Sequence, residues 1–120
     1  MIKTADRQQV RVRERLRGGE GALVFHDLLT QEESFGAGKL FSRTVIPPGA
    51  SIGTHTHEGE FEMYYLLSGD AEVLDGGEWS AIRRGDVHVC ANGEAHAIRN
   101  NTATEAEVLM LILFDQTARA

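Results

Sequence analysis

Residues 49–69 read GASIGTHTHEGEFEMYYLLSG. Glycines bracket the segment at Gly49 and Gly69, and its second half is an apolar run from Phe61 to Leu67 with Glu62 set inside it. His55 and His57 stand two apart, so on an extended strand both imidazoles face the same side. Glu62 follows five residues later, and His96 comes much further on in GEAHAIRN. Three histidines and one carboxylate converging inside a barrel make a nitrogen and oxygen donor set for a divalent first-row metal.

Outward from this segment the chain breaks into short pieces. Glycine supplies 13 of 120 residues, above the usual share of about 7 %. It punctuates runs of strand length at 22–28, 39–46, 61–67, 71–74, 79–83, 87–91, 96–99 and 107–114. Alternating or wholly apolar runs at that spacing predict an all-β, antiparallel sandwich or barrel. Pro47, Pro48 and Gly49 read as a turn, Asp75 to Gly77 as a hairpin loop and Gly85 with Asp86 as a corner. Thr30 followed by Glu33 forms a capping box, but Gly36 and Gly38 limit any helix there to about one turn.

A chain of this length folds from about 19,000 Å² of surface to about 6,400 Å², which gives one domain a real core. Twelve Lys and Arg against eighteen Asp and Glu leave a net charge of −6, the wrong sign for a nucleic-acid binder. The longest apolar stretch, 108–114, is far short of the roughly 20 residues of a membrane span. With one cysteine, Cys90, and no apolar leader after Met1, the expected location is cytoplasmic. Six of the twelve cations fall within residues 1–17, which carry +4 locally. They read as a solvated arm or edge strand over residues 1–20 whose arginines meet the acidic body.

The spacing around the histidines resembles that of the cupin family. Gly49, His55, His57, Glu62 and Gly69 fill each place of the first cupin motif, and Gly85, Gly93, His96 and Asn100 fill the second, with Ala91 standing where the motif has proline. A 15-residue spacer, 70–84, is similar to that of small single-domain bacterial cupins. The resemblance implies a jelly-roll barrel, or double-stranded β-helix, over residues 21–117. It implies His55, His57, Glu62 and His96 as ligands of one divalent transition metal per chain: manganese, iron, nickel, cobalt, copper or zinc. Burying imidazoles and an ionised carboxylate in a small barrel without a cation would also be costly. Gly69 and Gly93 then read as turn residues, and Asn100 as a loop tie.

Other residues offer weaker signals. Glu60 and Tyr64 share the parity of Glu62, which makes them candidate catalytic residues, although Glu58 and Glu60 read more simply as a solvated acidic rim. His88 and Cys90 share one face of their strand, Val87 and Val89 the other, and pattern alone leaves open which is interior. His26 reads as a surface residue, and 17–21 as a turn between two early strands. Runs 63–67 and 108–114 are apolar on both faces, which predicts a homodimer. The expected function is that of a metal-dependent enzyme on a small molecule that chelates through two oxygens, with a non-catalytic small-molecule or sugar-binding module as the alternative and a metal-stabilised structural dimer as a third reading. An acidic rim would favour a neutral or singly charged ligand unless Arg43, Arg99 or the N-terminal arginines reach the mouth.

Overall fold

The computed structural model describes residues 1–117. Its strands are β1 (Gln9–Glu14), β2 (Ala22–Leu29), β3 (Gly38–Ile46), β4 (Ser51–Thr56), β5 (Glu60–Ser68), β6 (Ala71–Asp75), β7 (Glu78–Ile82), β8 (Val87–Cys90), β9 (Ala95–Arg99) and β10 (Ala106–Phe114). They pair antiparallel into a six-stranded sheet, β1-β2-β3-β10-β5-β8, and a four-stranded sheet, β4-β9-β6-β7. The two sheets enclose a core that includes Leu23, Ile46, Tyr64, Leu66, Ile98 and Val108. This is the antiparallel jelly-roll barrel expected from the alternation. Among the described residues no helix is long and apolar enough to cross a membrane.

Turns form where their chemistry demands. Ala50 N donates to Pro47 O at 3.0 Å, with Gly49 at φ 81° in the position that needs a left-handed residue. The capping box closes reciprocally: Thr30 N donates to the Glu33 carboxylate and Glu33 N to Thr30 Oγ1, at 2.9 and 3.0 Å, and the chain turns without becoming a helix. Asn100 is fully buried. Its Nδ2 donates to Ile46 O and Thr104 O, and its Oδ1 accepts from Thr102, which ties the β9–β10 loop to the end of β3.

Two strands are absent from the apolar pattern. β4 gives little apolar signal because His55 takes an inward place, which leaves Ile52 as its one buried apolar side chain. β1 is the free edge of the larger sheet and presents Val10 and Val12 to solvent, 55 % and 62 % exposed, while Arg11 and Arg13 alternate onto the opposite face. The loop after it, through a short turn at Leu16–Gly18, lies directly on β4: a Cβ added at Gly19 would overlap Ser51 O, and one at Gly53 would overlap Arg17 O. In β5 and β10 the inward positions are buried and the outward ones, among them Met63, Tyr65, Leu109 and Leu111, are half-buried by one another.

Candidate metal centre

β4 brings in His55, the turn after it His57, β5 brings Glu62 and β9 His96, so four donors from separate segments meet on the inner faces of both sheets. The donor atoms lie within 4.8 Å of one another. His57 Nε2 is 3.0 Å from both Glu62 Oε1 and His96 Nε2, and His96 Nε2 is 3.1 Å from His55 Nε2. His55 Nε2 and Glu62 Oε1 are wider apart at 3.8 Å. Two donors each about 2.1 Å from a common ion and at right angles to each other would be about 3.0 Å apart. The spacing therefore fits neighbouring ligands of one ion.

Ring orientation agrees. His55 Nδ1 faces Gly53 O at 2.8 Å, His57 Nδ1 faces Glu60 Oε2 at 2.5 Å and His96 Nδ1 faces His88 Nε2 at 3.1 Å. With each Nδ1–H donated outward, each imidazole in its neutral form turns an Nε2 lone pair to the centre, where Glu62 adds an ionised oxygen. Apart from the proton that His57 keeps beside Glu62, these are acceptors packed together, which a cation satisfies and an apolar barrel would not otherwise tolerate.

Electrostatics follow from burial and these contacts. Burial would push the Glu62 carboxyl up, but the surrounding imidazoles of His55, His57 and His96 outweigh it and hold the group well below the usual carboxylate range. His57 is raised above 6.5 chiefly by Glu62, against its own burial and with help from Glu60. His96 is lowered by burial, as is His88, which the charge of His96 lowers further. Tyr64 is fully buried, and desolvation, with Glu62 nearby, raises its phenol far above 10. Its ring stacks on His96 at 4.9 Å, and its hydroxyl lies 3.5 Å from His96 Nε2. Tyr64 thus stands at the centre as a neutral donor.

One expectation changes, and two points that the sequence left open are answered. Glu60 is not part of a solvated rim: it is 6 % exposed and lies between His57 and Lys39, whose Nζ is 2.6 Å away, while Glu58 alone is exposed. His88 and Cys90 face inward and Val87 and Val89 outward. His88 then orients His96, a role with no signal in the spacing, whereas burial pushes the Cys90 thiol up to about 11 and leaves it unreactive. The N-terminal arginines do reach the mouth. Three of the donors, His55, His57 and Glu62, line an open cavity of about 210 Å³ whose lining also includes Arg11, Arg13, Arg17 and Lys39 against only two carboxylates, Glu60 and Glu62. Arg43 pairs with Glu107, and Arg99 lies over Trp79 beside Glu72, so neither lines this cavity. His26, on β2, is likewise absent from its lining.

Residues 42–112 match the Cupin domain family. An oxalate-binding protein of Thermotoga maritima is 42 % identical over 98 residues, 82 % of this chain and 81 % of that protein. The crystal structure of a predicted oxalate decarboxylase from Thermotoga maritima superposes with a TM-score of 0.91 at 36 % identity, covering 96 % of this chain and 100 % of that one. A sugar phosphate isomerase of the cupin superfamily from Silicibacter pomeroyi shares the fold, with a TM-score of 0.74 at 18 % identity over 93 % of this chain and 74 % of its own. The family match spans all four converging donors and more than half of the sequence, and with a relative 42 % identical over most of its length the chain belongs to the cupin family.

Proposed function

We propose that the protein binds a small dicarboxylate of the oxalate type through one divalent transition metal held by His55, His57, Glu62 and His96. The observation that carries the reading is the cavity itself, with three of the four convergent donors, His55, His57 and Glu62, in its lining, cations on its wall and no disengaged acid or base among its lining carboxylates. A divalent ion supplies a Lewis-acidic centre that two oxygens of one ligand can share. The chain's residues do the rest: Glu60, Gly53 and His88 hold the imidazoles, and Tyr64 offers a hydroxyl donor beside them. A cavity of about 210 Å³ is smaller than the roughly 300–1,000 Å³ of pockets that take drug-sized ligands, which favours a metabolite of few atoms. The oxalate-binding relative supports the same class.

The test is calorimetric titration of oxalate into protein purified without a polyhistidine tag, metal-free and manganese-loaded. Saturable binding only in the loaded form is expected, and no binding in either form would overturn the reading. A second reading, an enzyme on the same ligand class, rests on Tyr64: a phenol that stays protonated can donate to a substrate oxygen as negative charge grows there. Formate and carbon dioxide from oxalate, lost in Tyr64→Phe, would favour it. We propose also that the protein works as a homodimer joined through the outer face of the larger sheet, where β5 and β10 are apolar on their outward positions.

A further inference from the structure

Strand β1 is built inside out. A strand with one face toward a core ordinarily turns its valines inward, yet Val10 and Val12 are exposed while Arg11 and Arg13 share the face of Leu23 and Phe25 on β2 and line the cavity. Such a reversal works against stability and marks positions kept for another purpose. Arg11 is committed: its guanidinium grips the Asp27 carboxylate at 2.6 and 2.9 Å and lies over the Phe25 ring. Lys39 is committed to Glu60. Arg13 and Arg17 also line the cavity, and among the described residues neither has a carboxylate partner.

The loop that carries Arg17 is rigidly made. Arg15 and Arg17 both adopt left-handed backbone, φ 49° and 56°, which costs energy for residues with a Cβ. The loop is held by Arg15 N to Gly21 O at 2.9 Å, Gly18 N to Arg15 O at 3.0 Å and Ser51 N to Glu20 O at 2.9 Å, and by the close seat of Arg17 O on Gly53. Gly53 O in turn accepts from His55 Nδ1. One residue therefore fixes both the arginine loop and a donor imidazole.

We infer that Arg13 and Arg17 form an anion-recognition pair that reads the charge a metal-held ligand presents toward the mouth, and so selects dianions over monoanions that chelate equally through two oxygens. The inference rests on the metal-bound dicarboxylate reading. Oxalate bound by one oxygen of each carboxylate keeps two outward oxygens for the guanidiniums, whereas glycolate, bound through its hydroxyl and one carboxylate oxygen, keeps only one and carries half the charge. Charge-assisted hydrogen bonds of this kind are among the stronger ones available to a protein.

The experiment compares manganese-loaded wild type with Arg13→Gln/Arg17→Gln by calorimetry, using manganese, oxalate and glycolate as probes. The double variant should bind oxalate about tenfold more weakly, with manganese affinity changed less than about twofold and glycolate affinity falling by about threefold at most. Equal loss for oxalate and glycolate, or no loss for oxalate, would overturn the inference while leaving the metal reading intact. Wild type that takes manganese but neither ligand would overturn both. Should the double variant misfold, wild type titrated at rising potassium chloride decides. Its oxalate affinity should fall more steeply than its glycolate affinity, and parallel slopes would overturn the pair.

Discussion

Replacing His88 by leucine separates the orientation of a donor from the donor itself. His88 is 7 % exposed and meets only the outward nitrogen of His96, at 3.1 Å, while its other nitrogen is 3.9 Å from the Asp75 carboxylate. Burial and the nearby His96 keep it neutral, so it accepts from His96 Nδ1–H and fixes the tautomer that leaves Nε2 free. Removing such an outer partner typically costs 10- to 100-fold in metal affinity, or about 1.4–2.7 kcal/mol. That agrees with about 1–3 kcal/mol for leaving a buried donor unpartnered. Unfolding a 120-residue domain carries an entropy of about 0.25 kcal/mol/K, so the metal-induced rise in melting midpoint should shrink by about 5–11 °C. Taking metal-loaded minus metal-free midpoints of the same variant cancels any change in packing. Affinity comes from chelator-buffered manganese titration, and His88→Gln, which restores an acceptor, should recover most of the loss. A folded His88→Leu protein that binds manganese within about threefold of wild type would refute the reasoning.

At His57, whose proton in the metal-free site is retained above pH 6.5 by Glu62 and Glu60, metal entry must expel that proton. Apparent affinity should therefore keep rising as pH climbs past 6.5, and the binding enthalpy at pH 7 should change between phosphate and Tris; a buffer-independent enthalpy would count against it. Gly53→Ala puts a methyl group onto Arg17 O, a backbone atom that can yield only if the loop moves. A cost of about 1–3 kcal/mol, or roughly 4–12 °C, is expected, and an unchanged melting midpoint would show that the loop is not seated as described. Leu109→Asp, on an outward position, should yield a folded monomer by light scattering at roughly tens of micromolar, whereas Met110→Asp, fully buried, should fail to fold. A wild-type protein that is already monomeric there would remove the dimer.

The barrel was legible because most strands bury one face, and a two-residue period survives in the sequence wherever that holds, as in β5 and β10. The four donors were legible through the His-x-His spacing and the glycines around it. β4 was harder to see because His55 takes an inward place that an apolar residue would otherwise have marked. Glu60 and His88 were misjudged or left open for a different reason: their partners lie across strands. Glu60 meets Lys39 of β3, and the β5–β8 register sets His88 opposite Tyr64, next to His96 of the other sheet. The arginine cluster was visible as local charge, but its destination depends on the pairing of β1 with β2, which sets Arg13 opposite Leu23.

That edge pairing has an evolutionary side. β1 hydrogen-bonds to one neighbour and none of its residues is buried, so the core does not depend on which side chains it carries. The four candidate metal donors, by contrast, come from β4, β5, β9 and the turn between the first two, where a change disturbs the barrel itself. If the donors hold a metal and the arginines read its ligand, as proposed, chemistry and part of the selectivity lie on different parts of the chain, and the edge strand is the cheaper part to rewrite. Descendants of such a scaffold could keep the four donors and alter the charge beside them by drift along an exposed ribbon of six residues, with only Arg17 held in the loop that follows.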